Sequence, residues 1–130
     1  MLERYAGNMF DVLKPFLPDG WDRLVLFGQM ENRTYDFTFY VRQGEGARYR
    51  QCFDMAREGQ YPRAELLKAF SRLYDLCRKA KKELAEQEPG VRAWTRFILV
   101  LNSEGRFTID YEYGDMQLGV PQAWKDRYLV

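Results

Sequence analysis

Between Thr34 and Val41 the side chains change character at every step. Tyr35, Phe37, Phe39 and Val41 fall on one side, and Asp36, Thr38 and Tyr40 on the other. Successive side chains of a strand point to opposite faces, so a period of two over this length predicts a half-buried strand. One strand with an apolar face is not stable by itself. It needs paired neighbours and a layer that covers the apolar side.

The neighbours lie on both sides in the sequence. From Trp21 the period is again two, with Leu24, Leu26 and Met30 on one face and Val25 and Phe27 opposite. Gly28 marks a bulge or a close backbone approach. Asn32-Arg33 suits a tight hairpin, because Asn tolerates positive φ. Beyond the reversal Gln43-Gly44-Glu45-Gly46, Tyr49, Gln51 and Phe53 alternate with Arg48, Arg50 and Cys52, which predicts the third strand of a meander. Met55 to Tyr61 reads as a polar connection.

The cover is helical. Leu66, Leu67, Phe70, Leu73, Tyr74, Cys77, Ala80, Lys81 and Leu84 draw one amphipathic stripe. Pro62 suits the first turn of that helix, and Pro89-Gly90 stops it. An earlier helix over Leu2–Leu17 carries Leu2, Tyr5, Met9, Phe10, Leu13 and Phe16 at the same spacing. Pro15 closes it around Lys14, and Pro18-Asp19-Gly20 redirects the chain.

Two more strands follow the long helix. In the first, Phe97, Leu99 and Leu101 oppose Trp94, Ile98 and Val100; both faces are apolar, so this strand belongs inside the sheet. Asn102-Ser103-Glu104-Gly105 reads as a type I turn closed by a left-handed glycine. The return strand turns Phe107, Ile109, Tyr111 and Tyr113 inward and Thr108, Asp110 and Glu112 outward. Pro121 to Val130 predicts a last helical turn or two, pinned by Trp124 and Tyr128. The order is α-β-β-β-α-β-β-α. The expected architecture is α+β, one antiparallel sheet of about five strands with helices mainly on one face, in a single domain over residues 1–130.

Composition limits the chemistry. The chain has no histidine, which removes Ser-His-Asp and Cys-His arrangements and His-containing zinc sites. Cys52 and Cys77 are too few and too far apart for a four-thiolate site or a CxxC redox pair, and read as reduced, partly buried thiols rather than a disulfide. The 20 Lys+Arg nearly balance the 19 Asp+Glu. That excludes a strongly basic nucleic-acid clamp or polybasic membrane anchor. No stretch of about 18 apolar residues occurs, and Glu3, Arg4, Asp11 and Lys14 interrupt the N-terminal segment. A cytoplasmic protein without membrane contact is the expectation.

Three constellations remain. Asp110, Glu112 and Asp115 form the only compact carboxylate group, the first two roughly 7 Å apart on one strand face. They suit a cation or an acid–base pair in principle, but without further ligands in a fixed motif they read as partner-binding acids or a solvated outer strand. Arg48 and Arg50 share the face of the predicted third strand. The long helix adds seven Lys/Arg against four Asp/Glu between residues 61 and 87. Such a surface attracts phosphates or is a solvated flank, and it supports a nucleic-acid-binding or adaptor module as the alternative reading. No GxxG loop or phosphate-binding glycine motif accompanies it; Gly44-Glu45-Gly46 is too short and lacks the following Lys. Trp21 and Trp94, at strand beginnings, read as core caps rather than partner anchors. With no catalytic set and no cofactor motif, the chain reads as a binding domain and not an enzyme.

Trp94-Thr95, the apolar strand, Leu101-Asn102-Ser103-Glu104-Gly105-Arg106-Phe107 and Asp110-Tyr111-Glu112-Tyr113-Gly114-Asp115 together resemble the YezG-like immunity proteins of bacterial polymorphic toxin systems. So do the first helix ending in a Pro-rich turn, Trp21 at the start of a strand, and the aromatic strand from Tyr35 to Tyr40. The resemblance implies a cytoplasmic antitoxin that binds a cognate toxin domain, often a nuclease, and blocks its active site or substrate path. Asp110, Glu112 and Asp115 would then mimic phosphates if the toxin is basic, with Arg48 and Arg50 as further candidate contacts.

Overall fold

A computed structural model describes residues 1–117 and 119–130. Its centre is a five-stranded antiparallel sheet in the order β3-β2-β1-β4-β5. β1 (Arg23–Glu31) and β2 (Thr34–Arg42) run in unbroken register from Arg23↔Arg42 to Glu31↔Thr34. Between them Asn32 takes a φ of 56°, the left-handed conformation the hairpin requires. β4 (Arg96–Asn102) pairs with the other side of β1, and β5 (Phe107–Glu112) pairs with β4. β1 is therefore central, and seven consecutive residues of it are buried. Gly28 marks close packing and not a bulge: register continues through it, while an added Cβ would overlap the Phe97 ring and lie 2.9 Å from Phe37.

One face of the sheet carries the main core. Leu24, Leu26, Phe37, Phe39, Val41, Phe97, Leu99 and Leu101 meet Met9 and Leu13 of α1 (Ala6–Leu13) and Leu66, Phe70, Leu73 and Cys77 of α3 (Arg63–Gln87). Each fully buried aliphatic or aromatic side chain here contributes about 1.5–3 kcal/mol of transfer free energy. The opposite face carries a second, smaller cluster, in which Val25, Phe27 and Ile98 are covered by Trp124 and Tyr128 of α4 (Gln122–Tyr128). The first helix ends as its proline dictates: α1 stops at Leu13 and a 3₁₀ turn over Lys14–Phe16 follows.

Five local expectations change. The third strand is only Arg50–Gln51, because the Gln51 side chain accepts hydrogen bonds from the amides of Phe53 (3.0 Å) and Asp54 (3.2 Å) and starts a helix. That helix, α2 (Cys52–Arg57), replaces most of the expected polar connection and buries Cys52 and Met55. Pro62 precedes α3 as its cap, with ψ at 135°, and does not sit in its first turn. Trp94 lies in the main core, not beside Ile98. Thr95 explains this: its N–H bonds the Glu112 carbonyl on β5 while its own carbonyl accepts from Met30 on β1, which breaks the alternation at the strand's entry. Finally, Phe107 and Tyr113 are 41% and 44% exposed, so only Ile109 and Tyr111 of the return strand pack inward.

Candidate partner interface

Asp110 and Glu112 lie opposite Ile98 and Arg96 in the β4–β5 ladder, on the face that α4 covers. Both are engaged within the chain. The Tyr128 hydroxyl donates to Asp110 Oδ2 at 2.6 Å, and burial first, then this bond, raise the Tyr128 phenol to about 12. Glu112 Oε2 lies 3.5 Å from Arg96 Nη2. The Arg96 side chain, 13% exposed, stacks its guanidinium 5.2 Å from the Trp124 ring centre. The two acids thus clamp α4 to the sheet through one tyrosine and one arginine.

Asp115, by contrast, is exposed and has no ion pair or side-chain hydrogen bond among the described residues. No group of three or more Cys, Asp or Glu that could hold a metal ion occurs among them either.

The loop before α4 is strapped by residues whose role local spacing does not show. Gln29 is buried on β1; its Nε2 donates to the Gly119 carbonyl and its Oε1 accepts from the Gln117 amide, both at 2.9 Å. Asp36 Oδ2 accepts from the Gly119 amide at 3.2 Å, and Glu31 Oε2 from the Met116 amide at 3.2 Å. The one signal for Gln29 is a polar residue inside an otherwise apolar strand.

The arginines separate. Arg50 lies on β3 and pairs with Glu58; Arg48 precedes the strand, is exposed and pairs with nothing among the described residues. Their shared strand face therefore does not form. A nearby arginine matters more to the frame. Arg42 donates from Nε (3.1 Å) and Nη2 (2.7 Å) to the Asp22 carboxylate, which holds that carboxyl below its ordinary range. Its Nη1 donates to the Val130 carbonyl at 3.1 Å, tying the chain end to the sheet. Asp22, Arg23, Arg42, Arg106 and Phe107 line a groove of about 430 Å³ at this end.

On the other side of the molecule, Arg78, Lys79 and Lys82 of α3 border a groove of about 550 Å³ against Met30 and Asn32. Beneath them Lys81 keeps its place in the amphipathic stripe. Its Nζ donates to the Met30 carbonyl at 3.4 Å and sits 4.6 Å from the Trp94 ring centre, and burial lowers its pKa. Tyr35 and Tyr74 stack at 4.6 Å beside it, with Arg78 over Tyr74. Cys52 and Cys77 are buried and free, and burial pushes the Cys77 thiol to about 12, which suppresses its nucleophilic thiolate.

What this geometry offers is a stiff frame with distinct charged surfaces at its ends. The family model for the immunity protein YezG-like matches residues 2–129. The chain belongs to the YezG-like immunity protein family. A search of curated proteins returns no match. Among the described residues of this YezG-like chain no helix is long and apolar enough to cross a membrane.

Proposed function

We propose that this YezG-like protein acts in the cytoplasm as a single domain over residues 1–130 that binds a cognate bacterial toxin domain, a nuclease, and covers its active site without itself catalysing a reaction. The observation that carries this reading is the family match across residues 2–129. Physical chemistry supports it. Inhibition by occlusion needs a pre-ordered surface and complementary charge, which speeds capture, and no turnover chemistry.

The candidate contacts take two parts. Arg48 and Asp115, exposed and unpaired among the described residues, meet the toxin directly. Asp110, Glu112 and Arg50 are engaged by Tyr128, Arg96 and Glu58 and shape the surface that the toxin meets. Co-expression with the toxin encoded in the neighbouring reading frame tests the reading. Host cells survive with the intact chain, and cells that die as fast with it as without it contradict the proposal.

One observation favours a second reading, a nucleic-acid-binding module: the Arg78, Lys79, Lys82 groove with its stacked tyrosines. Retention of RNA or DNA that weakens steeply with salt and is lost in an Arg78→Glu, Lys82→Glu variant distinguishes it.

A further inference from the structure

The sheet ends in two unlike edges. On one, β3 lasts two residues before Gln51 turns the chain into α2. On the other, β5 runs six residues, Phe107-Thr108-Ile109-Asp110-Tyr111-Glu112, with no Pro or Lys to blunt it. The Asn102 amide donates to the Arg106 carbonyl at 3.0 Å, so Arg106 turns its backbone toward β4. By alternation Thr108, Asp110 and Glu112 do the same, and Phe107, Ile109 and Tyr111 direct their N–H and C=O groups outward. Among the described residues no backbone group meets them there. An unpaired edge of this length is a template for another strand.

We propose that β5 pairs antiparallel with β5 of a second copy of this chain, about a two-fold axis through Ile109, joining two sheets into one. The strand's own order selects the partner and the register. With Ile109 facing its own copy, Phe107 stands opposite the partner's Tyr111 on the main-core face, an aromatic cross-strand pair that covers the exposed Phe107 ring. On the α4 face Arg106 stands opposite the partner's Glu112, and Thr108 opposite the partner's Asp110. Arg106 is 83% exposed and Glu112 34%, so both reach a neighbour, and Asp110 keeps its Oδ1 for the threonine hydroxyl because Tyr128 takes Oδ2. Moving the axis to Asp110 sets Asp110 against its own copy, a like-charge pair. Moving it to Thr108 leaves Glu112 without an arginine from the partner and shortens the ladder. Neither alternative satisfies both charges. The dimer does not depend on the toxin reading.

Sedimentation equilibrium of the full chain without toxin tests the proposal. The expected species is a concentration-dependent dimer. Thr108→Asp, at an exposed site, places a carboxylate opposite the partner's Asp110 twice by symmetry and raises the dissociation constant about tenfold. Thr108→Lys lowers it by a similar factor. Phe107→Pro removes an outward N–H at the first residue of an edge strand, where Pro is tolerated, and abolishes the dimer while leaving the monomer's circular dichroism unchanged. A monomer up to about 1 mM overturns the proposal. So does a dimer indifferent to all three substitutions. A chain that is monomeric alone, and loses toxin binding on Phe107→Pro, also overturns it and gives the edge to a toxin strand.

Discussion

On the face that carries Leu26, Phe39 and Leu99, α1, α2 and α3 bury a continuous apolar layer. On the opposite face Phe27 and Ile98 are covered by a helix of seven residues, and its attachment depends on side-chain pins: Tyr128 to Asp110, Arg96 to Glu112 and Trp124, Gln29 to the loop before it. A helix that short is marginal in water without tertiary contacts. The difference teaches where the acids of β5 do their work. They stand in for the apolar area that α4 lacks, so a carboxylate pair that looks like a binding motif is first of all an attachment.

Substitutions test that contrast in descending order of effect. Phe39→Ala opens the large core and costs about 3–5 kcal/mol in equilibrium urea unfolding, as one cooperative transition. Trp124→Ala costs less, about 2 kcal/mol, since the small cluster is at the molecule's margin and relaxes more easily. It speeds amide exchange over 122–128 while β1 and α3 stay protected, and equal exposure of both regions would break the comparison. Asp110→Asn costs about 1 kcal/mol, the worth of one hydrogen bond to a charged group reduced to a neutral one. Raising pH acts on the same pin. The Tyr128 phenol stands at about 12 against an ordinary 10.0, so the stability it adds is complete below pH 10 and is lost as pH rises through 12. Exchange over 122–128 should therefore accelerate in that window before the main core opens, and simultaneous loss of both faces would contradict the assignment.

Much of this was legible in the amino-acid order, for local reasons. The alternation from Tyr35 to Val41, the α3 stripe, Asn32 and Gly105 each encode a backbone conformation within a few residues, and Gly105 indeed takes a φ of 87°. What stayed hidden depends on a competing local bond or a distant partner. The alternation of Tyr49, Gln51 and Phe53 continues past the point where the Gln51 side chain has already capped a helix. Trp94 follows strand parity in the sequence, yet the split hydrogen bonding of Thr95 sends it to the other face. The carboxylates were visible as a group, but the residue holding Asp110 is 18 positions away, on a helix whose docking no short window records.

The proposed occlusion is tested most directly by titrating the purified toxin domain with the purified chain while following cleavage of its nucleic-acid substrate. Activity should fall linearly to zero at one chain per toxin, with a charge-reversed Arg48 and Asp115 variant requiring a large excess. Full cleavage in the presence of excess intact chain, at concentrations where both proteins are folded, would contradict it.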